Sequence, residues 1–396
     1  MREIYLDNAA TTRVLPEAAD AASAAMREQY GNPSSLHHKG FEAEQYVKNA
    51  RKAIAGSLKV PEETIVFTSG GTESNNMALL CGADARKRYG NHIITTRIEH
   101  ASVYQPILHL QDLGYRVTFL EVDANGIVSP ETLAAALTDD TILVSVMAVN
   151  NEIGAVEPVA ELAALVHEKT PNAWFHTDAI QAYGKIPLYP KRMGIDLLSV
   201  SGHKLHAPKG TGFLYVREKL AIKPLIYGGG QQKDLRSGTE NVPGIAGLGA
   251  AVSNWFADAE RKRSHLYELK EQFVTLVSEV PGATVNGVFS DVITETLAER
   301  IRKTAPHIVS VSFRGVRSEV LLHALEDKGI YVSSGSACSS NHPAISGTLK
   351  AIGVENALLD STLRFSFSYE TTEEEIRLAA EALKELVPVL GRYRRS

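Results

Sequence analysis

The sequence predicts an α/β protein with a mostly parallel seven-stranded sheet, joined to a smaller α+β domain. Short β-rich runs alternate with helix-like stretches in the first part of the 396-residue chain, which is typical of βαβ units. The run Thr141–Val149 is almost wholly apolar, as expected for a strand buried on both faces. The seven runs are Thr64–Thr68, His92–Thr96, Arg116–Glu121, Thr141–Val149, Ala173–Thr177, Asp196–Val200 and Gly212–Val216.

The pattern changes after the seventh run. Residues 244–280 predict one long helix that leaves the large domain, and the remainder mixes strands with helices. We predict a large domain of residues 14–255 and a small domain of residues 1–13 with 256–396. In the small domain, strands are predicted at 307–313, 330–333 and 362–367. Over the whole chain, the other helices are predicted at 16–29, 40–57, 73–89, 102–113, 130–137, 157–169, 318–328 and 372–389.

Bulk composition limits the classes of function. The net charge of −5 and the pI of about 6.2 give no basic footprint for nucleic acid. No apolar run approaches the ~18 residues of a membrane span, and the start lacks the apolar core of a signal peptide. Two distant cysteines, Cys81 and Cys338, do not make a disulfide scaffold. We therefore expect a cytoplasmic enzyme with no membrane or nucleic-acid partner and no metal.

A glycine-rich turn, Ser69–Ser74, follows a predicted strand and precedes a predicted helix. Such a turn can cradle a phosphate, with a hydroxyl from Thr72, but a plain strand–helix turn is about equally expected. The segment matches neither GxGxxG nor GxxxxGK[ST], which argues against a dinucleotide or a nucleoside triphosphate.

Lys204 and Asp178 both follow predicted strands, where ligands bind in α/β sheets. A lysine there can form a Schiff base with an aldehyde cofactor, and an aspartate can pair with a pyridine nitrogen. Ser201 and His203 place hydrogen-bonding groups beside the lysine. The alternatives are a solvated loop lysine and an aspartate that caps the next helix.

Three further polar positions follow or interrupt apolar strands. His100 can stack on a planar ring or carry a proton, although a lone histidine is more often structural. The segment Asn150–Glu152 can bind a ring hydroxyl or simply form a turn. Arg364 can bind a carboxylate with two hydrogen bonds, or it can form an internal salt bridge.

The two cysteines have opposite surroundings. Cys338 lies in a small, polar Gly/Ser segment, Ser333–Ser340, which favours a reactive thiol over core packing. Cys81 lies in the apolar run MALLCGA, which predicts a core position.

In this order, the motifs resemble the cysteine desulfurases of the NifS/IscS type, within the aspartate-aminotransferase-like enzymes that use pyridoxal 5′-phosphate (PLP). The resemblance covers nearly the whole chain, and SGHK with SSGSAC carries most of its weight. The motifs are YLDNAATT, GGTES, EHASV, VNNEIG, HTDAIQ, SGHKLHAPKG, RSGTEN, SSGSAC and RFSFS.

The resemblance implies a role for each matching residue. Lys204 would hold PLP and move the Cα proton of L-cysteine, and Cys338 would take the substrate sulfur as a persulfide, leaving L-alanine. Thr239 would reach the phosphate of a neighbouring subunit, which implies a homodimer. Asp178 would pair with the pyridine nitrogen, and His100 would stack on the ring and serve in acid–base steps. Gln181 would bond the ring O3′, and Asn151 would lie near the ring and the substrate. The phosphate would be held by Thr72, Ser201 and His203, and the substrate carboxylate would be bound by Arg364.

The resemblance also implies a sulfur-acceptor protein, such as an iron–sulfur scaffold or a thiolation enzyme for tRNA or a thio-cofactor. The stretch after the cysteine, 339–348, departs from the family members that build iron–sulfur clusters, which puts the acceptor in doubt.

The competing interpretations are a selenocysteine lyase, another PLP-dependent transaminase or lyase, and a non-catalytic scaffold. A transaminase needs no thiol in a Gly/Ser loop, so Cys338 argues against it. A scaffold would be favoured by loss of the lysine or the cysteine, and both are present. The missing GxGxxG makes a dinucleotide-dependent oxidoreductase the weakest interpretation.

Overall fold

A computed structural model describes residues 3–288, 294–334 and 346–393 of the chain. It has a seven-stranded sheet, a four-stranded sheet and a two-stranded pair. The strands are β1 Ile4–Tyr5, β2 Ile65–Thr68, β3 His92–Thr96, β4 Arg116–Leu120, β5 Thr141–Ser145, β6 Trp174–Asp178, β7 Leu197–Ser201, β8 Gly212–Val216, β9 Ala283–Asn286, β10 Ile308–Phe313, β11 Ile330–Tyr331, β12 Ser333–Ser334 and β13 Thr362–Ser366.

Helices cover the sheets, and their ends follow local sequence signals. The last long helix, for example, starts with a capping box between Thr372 and Glu375 and buries an apolar stripe from Ile376 to Val387. The helices are α1 Pro16–Arg27, α2 His38–Leu58, α3 Gly71–Asn76, α4 Gly82–Arg86, α5 Ala101–Asp112, α6 Pro130–Ala136, α7 Val159–Lys169, α8 Pro190–Met193, α9 Val242–Ala257, α10 Ala259–Ser278, α11 Leu297–Arg302, α12 Ser318–Glu326, α13 Gly347–Ala351 and α14 Glu373–Leu390.

The large sheet confirms the predicted seven strands and their mostly parallel arrangement. Its order is β2-β8-β7-β6-β5-β3-β4. Only β8 runs against its neighbours, because it is antiparallel to both β2 and β7. The other neighbouring pairs are parallel. The carboxyl ends of β2, β3, β5, β6 and β7 therefore meet at one edge of the sheet.

The four-stranded sheet, called the small sheet below, lies in the C-terminal part of the chain and is antiparallel throughout. Its order is β12-β13-β10-β9, and α10, α12 and α14 pack around it and each other. This is the predicted α+β unit. The division into residues 14–255 and 1–13 with 256–396 stays a prediction.

The N-terminal segment connects the small sheet to the carboxyl edge of the large sheet. β1 pairs in parallel with β11, and Asn8 N–H then donates to the carbonyl of Ser366. A few residues later, Thr12 N–H donates to the carbonyl of His203 at 2.9 Å. The segment is thus held by backbone bonds at both ends, with residues 9–11 between them.

Several element boundaries differ from the sequence prediction. The predicted helix 73–89 is divided into α3, a π-helical segment Met77–Cys81 and α4, which ends at Arg86. The predicted helix over 244–280 is two helices, because Asp258 has a non-helical backbone (φ −148°, ψ 47°) between α9 and α10. The predicted strand 330–333 divides into β11 and β12, which belong to different sheets. The strand predicted to reach Val149 ends at Ser145. Beyond it, Val146 and Ala148 donate to carbonyls of β6 without continuing the regular ladder.

Within the residues described, no helix is long and apolar enough to cross a membrane.

Gly212, the first residue of β8, lies where the backbone of the large sheet approaches the turn after β2. A Cβ placed there would lie 2.5 Å from the carbonyl oxygen of Val200 and 2.7 Å from Cα of Gly70, and backbone atoms cannot rotate away. We expect Gly212→Ala to lower the free energy of unfolding by about 1–3 kcal/mol, as overpacking does. Urea unfolding would measure the change.

Gly56 is the matched control for this substitution. It lies inside α2, and a Cβ there would meet nothing within 4 Å. Gly56→Ala should raise the free energy of unfolding by about 0.5–1 kcal/mol, because alanine is the better helix former. Equal effects of the two substitutions would contradict the close approach at Gly212.

Candidate active site

A cavity of about 530 Å³ opens at the carboxyl edge of the large sheet. All the predicted site residues except Thr239 and Cys338 line it, although they come from five strand ends and from β13. The sheet explains this convergence, because parallel strands deliver their following residues to the same edge. Those lining residues are Thr72, His100, Asn151, Asp178, Gln181, Ser201, His203, Lys204 and Arg364.

Lys204 places its amine in this cavity. Its Nζ donates to the carbonyls of Ala9 and Ala10, each at 2.6 Å. Its own carbonyl accepts a bond of 3.0 Å from Nζ of Lys185, a lysine that lies over the ring of Trp255. The backbone and the amine of Lys204 are therefore both held by neighbours.

Asp178 ends β6 and is buried beside the lysine. Its Oδ2 accepts from Asn75 Nδ2 at 2.8 Å and its Oδ1 from the backbone N–H of Ile180 at 2.9 Å. Burial raises the pKa of this carboxyl, while the hydrogen bonds and the nearby His100 and Lys204 act in the opposite direction. The bond from Ile180 shows that Asp178 also shapes the following turn. The helix-capping alternative is wrong, because no helix begins at this turn, which the structure describes completely, and α8, the next helix, starts at Pro190.

His100 lies at the N-terminus of α5 and caps it. Its Nδ1 accepts from the backbone N–H of Ser102 at 3.1 Å and lies 2.8 Å from the Ser102 hydroxyl. The structural and the functional interpretations of this histidine are therefore compatible, because the capping ring also lines the cavity.

The glycine-rich turn forms one end of the cavity. Gly70 adopts φ +148°, a backbone conformation open to glycine, and Ser201 lies against it. The turn is tied to the segment after β8, because Arg236 Nε donates to Glu73 Oε1 at 2.8 Å while Glu73 Oε2 accepts from Ser69 N–H.

His203 lies at the same end. Its Nδ1 is 3.1 Å from the Thr11 hydroxyl, and burial lowers the pKa of its imidazole to about 4. The ring is therefore a neutral hydrogen-bonding group at neutral pH.

Gln181 is buried behind the lysine. Its Nε2 donates to the carbonyl of Ala9 at 2.9 Å, and its Oε1 lies 3.1 Å from Nε2 of His307. Burial holds the pKa of His307 well below its usual value, so this ring is neutral and its Nε2 is the donor. The Ala9 carbonyl can only accept, so it fixes which end of the Gln181 amide carries the nitrogen, and the oxygen therefore faces His307.

Arg364 crosses from the small sheet to the cavity and is 4% exposed. Its Nη2 donates to Asp7 Oδ1 at 2.9 Å and its Nη1 to the carbonyl of Asn151 at 2.9 Å. The internal salt bridge named as the alternative is therefore present. A ligand carboxylate would have to share or replace Asp7.

The turn after β5 faces both the cavity and the start of α13. Asn150 Oδ1 accepts from two backbone N–H groups of the turn, and its Nδ2 contacts Thr348. Glu152 accepts from the Ser346 hydroxyl, which also caps α13. The buried polar chains on this turn thus anchor the chain at residue 346.

Two predicted residues stand apart from the cavity. Cys338 lies outside the described residues. Thr239 is exposed and does not line the cavity of its own chain. Cys81, predicted to be a core residue, is buried, and burial raises the pKa of its thiol to about 11, which confirms that prediction.

The sequence analysis missed the residues that hydrogen-bond to the predicted site residues and hold them in place. These are Asn75, Ser102, Lys185 and His307, together with the carbonyls of Ala9 and Ala10. Asn75 directly follows the motif GGTES and Ser102 lies inside EHASV, but the bond that joins them links residues 27 positions apart. A sequence signal existed only for polar residues next to a motif.

The cavity fits PLP. PLP carries a pyridine nitrogen, a ring hydroxyl, an aldehyde and a phosphate. The cavity offers a buried carboxyl at Asp178, an amine at Lys204 and the glycine turn with Thr72, Ser201 and His203 at one end. Met147, Val149 and Ile180 supply apolar wall for a planar ring.

Lys185 gives a pH test of how the site is held. Burial lowers the pKa of this amine to about 7, whereas an unfolded lysine titrates near 10.4. The unfolded state therefore binds more protons between these values, so stability rises with pH across that interval. We expect wild type to gain free energy of unfolding relative to Lys185→Met between about pH 7 and 10.4, measured by urea unfolding at several pH values.

Below pH 7 the difference between the two proteins should be constant. The exposed Lys191 is the control, and Lys191→Met should follow the wild-type pH dependence. Parallel curves for wild type and Lys185→Met would contradict a buried amine with a lowered pKa.

Comparisons with known proteins identify the family of this chain. The family model described as aminotransferase class-V matches residues 4–378. The chain is 40% identical over 390 residues to cysteine desulfurase IscS of Dictyoglomus turgidum, covering 98% of this chain and 95% of the relative.

Solved structures are similar as well. A NifS-like protein with 35% identity superposes with a TM-score of 0.89 and covers 98% of this chain and 100% of its own. SspA in complex with cysteine has 31% identity and a TM-score of 0.79, covering 94% of this chain and 100% of its own. The chain thus belongs to the class-V aminotransferase family, and within it to the PLP-dependent cysteine desulfurases of the NifS/IscS type.

Proposed function

We propose that this chain transfers sulfur from L-cysteine to its own Cys338 and releases L-alanine. The observation that carries the proposal is one cavity lined by the Lys204 amine, by a buried carboxyl, Asp178, and by a cation on the small sheet, Arg364. The solved structure of SspA holds cysteine, which supports the choice of substrate.

PLP, when bound, supplies an electron sink for negative charge that develops at the substrate Cα. Lys204 would hold it through Nζ, and Asp178 would keep its pyridine nitrogen protonated. The remaining groups would bind its other parts: His100 against the ring face, Gln181 at the ring hydroxyl, Asn151 near ring and substrate, and Thr72, Ser201 and His203 at the phosphate.

Lys204 is the group proposed to move the Cα proton. Its amine donates to the carbonyls of Ala9 and Ala10, so these bonds must be given up before its nitrogen can accept a proton. When it gives up those bonds it becomes a base inside a cavity whose other walls are largely apolar. The bond from Lys185 to the Lys204 carbonyl keeps the backbone in place during this change.

Arg364 is proposed to bind the substrate carboxylate. A guanidinium carries five N–H donors, and Asp7 and the Asn151 carbonyl each accept from one of its terminal nitrogens. Its Nε is buried with no hydrogen-bond partner among the described residues. A second carboxylate can therefore be accommodated beside Asp7, or in exchange for it.

Cys338 is proposed as the sulfur acceptor on grounds of sequence, family and chain connectivity. β12 ends at Ser334, and Ser333 pairs directly with Arg364. Four residues span at most about 14 Å, so covalent connection alone keeps Cys338 within reach of the strand that carries Arg364. In the step, the Cys338 thiolate bonds to the substrate sulfur, the substrate C–S bond breaks, and a proton replaces sulfur on the substrate carbon.

The product on the protein is a persulfide, Cys338–S–SH, and the other product is L-alanine. We propose that an acceptor protein takes this sulfur for iron–sulfur clusters, a thio-cofactor or tRNA thiolation. Persulfide transfer to copurifying proteins, followed by mass spectrometry, would identify it. A reactive thiol suits a reducing compartment, and we propose the cytoplasm.

We also propose a homodimer, in which Thr239 of one subunit reaches the phosphate of the other. The exposure of Thr239 away from the cavity of its own chain supports this arrangement. Sedimentation velocity should then give twice the 43.0 kDa of one chain, and a monomer would contradict it.

Sulfide release from L-cysteine in the presence of a thiol reductant tests the proposed chemistry. Cys338→Ser should lose at least 100-fold of the activity, roughly the scale of losing a nucleophile, yet keep the yellow colour of bound PLP. Lys204→Ala should lose both the activity and the absorption of covalently held cofactor. Both readouts are absorbance or colorimetric measurements on purified protein.

Cys81 provides the control, because it is the other cysteine and is buried with a raised pKa. Cys81→Ala should retain sulfide release within about two-fold, since a core thiol takes no part in the chemistry. Undiminished sulfide release by Cys338→Ser would rule out the proposed acceptor.

Arg364→Lys should raise KM for L-cysteine by about 10- to 100-fold, with a smaller change in kcat. The reason is that lysine cannot present two parallel donors, and a charge-assisted hydrogen bond contributes about 1.5–3 kcal/mol. Steady-state kinetics would measure this. Arg317→Lys changes an exposed arginine and is the control, which should leave KM unchanged. An unchanged KM in Arg364→Lys would instead show that Arg364 serves only as the partner of Asp7.

A further inference from the structure

The hydrogen bonds around His100 specify which of its ring nitrogens carries the proton. The backbone N–H of Ser102 donates to Nδ1 at 3.1 Å, and an N–H can only donate. Nδ1 is therefore the acceptor, and the proton of the neutral ring is on Nε2. This follows from the role of His100 as the N-cap of α5.

A second group acts on the same nitrogen. The Ser102 hydroxyl lies 2.8 Å from Nδ1, and its oxygen accepts from Asn75 Nδ2 at 2.9 Å. Because Nδ1 carries no hydrogen, the Ser102 O–H must be the donor in this contact, while its oxygen accepts from Asn75. The backbone N–H and the hydroxyl of Ser102 thus share the one lone pair of Nδ1. The same Asn75 nitrogen donates its other hydrogen to Asp178 Oδ2 at 2.8 Å.

These bonds form a directed chain across three elements of the large domain. Asn75 in α3 donates both to Asp178 at the end of β6 and to Ser102 in α5, and Ser102 donates to His100. Asn75 is completely buried, Ser102 is 8% exposed and Asp178 is 4% exposed. Water cannot readily enter such a buried setting and bond to these groups in place of a protein partner. Each hydrogen bond therefore has a definite direction.

We propose that Asn75 and Ser102 are positioning residues that hold His100 as the neutral Nε2–H tautomer and tie it to Asp178. The proposal deepens the proposed function, since His100 and Asp178 are the groups expected against the ring face and the ring nitrogen of PLP. One amide thereby sets the hydrogen-bonding state of both groups.

The tautomer limits what His100 can do. A proton can be added only at Nδ1, and this would break the two bonds from Ser102. The Nε2–H, on the edge turned away from the α5 N-terminus, can donate a hydrogen bond but is not a base. His100 therefore serves as a stacking and hydrogen-bond-donating ring, and the proton of the substrate Cα is left to Lys204.

Charged groups surround this arrangement on several sides. Asp178 and Glu152 interact electrostatically with His100. The cavity also contains Glu73, Lys204, Lys209 and Arg364, with His203 at its phosphate end. A titration of His100 therefore reports on the sum of these charges, and only a difference between matched variants isolates Ser102.

The test is NMR of the full-length, PLP-loaded protein labelled with ¹⁵N-histidine. Long-range ¹H–¹⁵N correlations distinguish the two neutral tautomers, and the His100 signals among the 13 histidines are those lost in His100→Gln. Wild type should show the Nε2–H pattern. Ser102→Ala removes a donor to the neutral ring, so the His100 titration midpoint should rise by about half to one pH unit.

Two controls separate positioning from general damage. Ser102→Thr keeps the hydroxyl and should restore the wild-type midpoint. Ser145→Ala removes a similar serine–imidazole contact elsewhere, the 2.8 Å contact to His176 Nδ1, and should leave the His100 signals unchanged. The measurement needs no turnover, so the proposed activity can fail while the tautomer assignment stands. An Nδ1–H pattern in wild type, or an unchanged midpoint in Ser102→Ala, would overturn the inference.

Discussion

The amine of Lys204 bonds to the carbonyls of Ala9 and Ala10, and the architecture of the site depends on this contact. The N-terminal segment that supplies these carbonyls is anchored on the small sheet through Ser366 and on the large domain through His203. Its Asp7 also holds Arg364, the cation that the small sheet contributes. One short segment thereby contacts both the Lys204 amine and Arg364, the group proposed to bind substrate.

Burial then determines which of the polar groups carry charge. The carboxyl of Asp178 has a raised pKa, while burial lowers the pKa of His203 to about 4 and that of Lys185 to about 7. Neutral imidazoles can hold a phosphate or an amide by hydrogen bonds without adding charge. The cationic groups that remain at the cavity, Lys204, Lys209 and Arg364, suit an anionic cofactor and an anionic substrate.

Hydrogen-bond networks behind the cavity give the site its precision. The Ala9 carbonyl orients the amide of Gln181, Asn75 connects Asp178 with Ser102, and Lys185 holds the backbone of Lys204. Each of these side chains is buried, so an unpaired donor or acceptor would be costly. The consequence is that the groups lining the cavity are held in their orientations by buried groups bonded to them.

The sequence by itself determined the seven strands, their mostly parallel arrangement and nine of the residues that line the cavity. The reason is that hydrophobic periodicity is local, and polar residues after parallel strands must meet at one edge. It also predicted correctly that Cys81 is buried, whereas the contrasting prediction for Cys338 stays a prediction. The helix break at Asp258 and the division of 330–334 between two sheets depend on packing, so local pattern could not show them.

Only the tertiary structure decided how the site residues are paired. Asn75 lies 103 positions before Asp178, and Ala9 lies 195 positions before Lys204, so no local pattern relates them. The tautomer of His100, the occupied guanidinium of Arg364 and the orientation of Gln181 follow from such pairs. Hydrogen bonds are short and directional, and their partners are known only when the chain has folded.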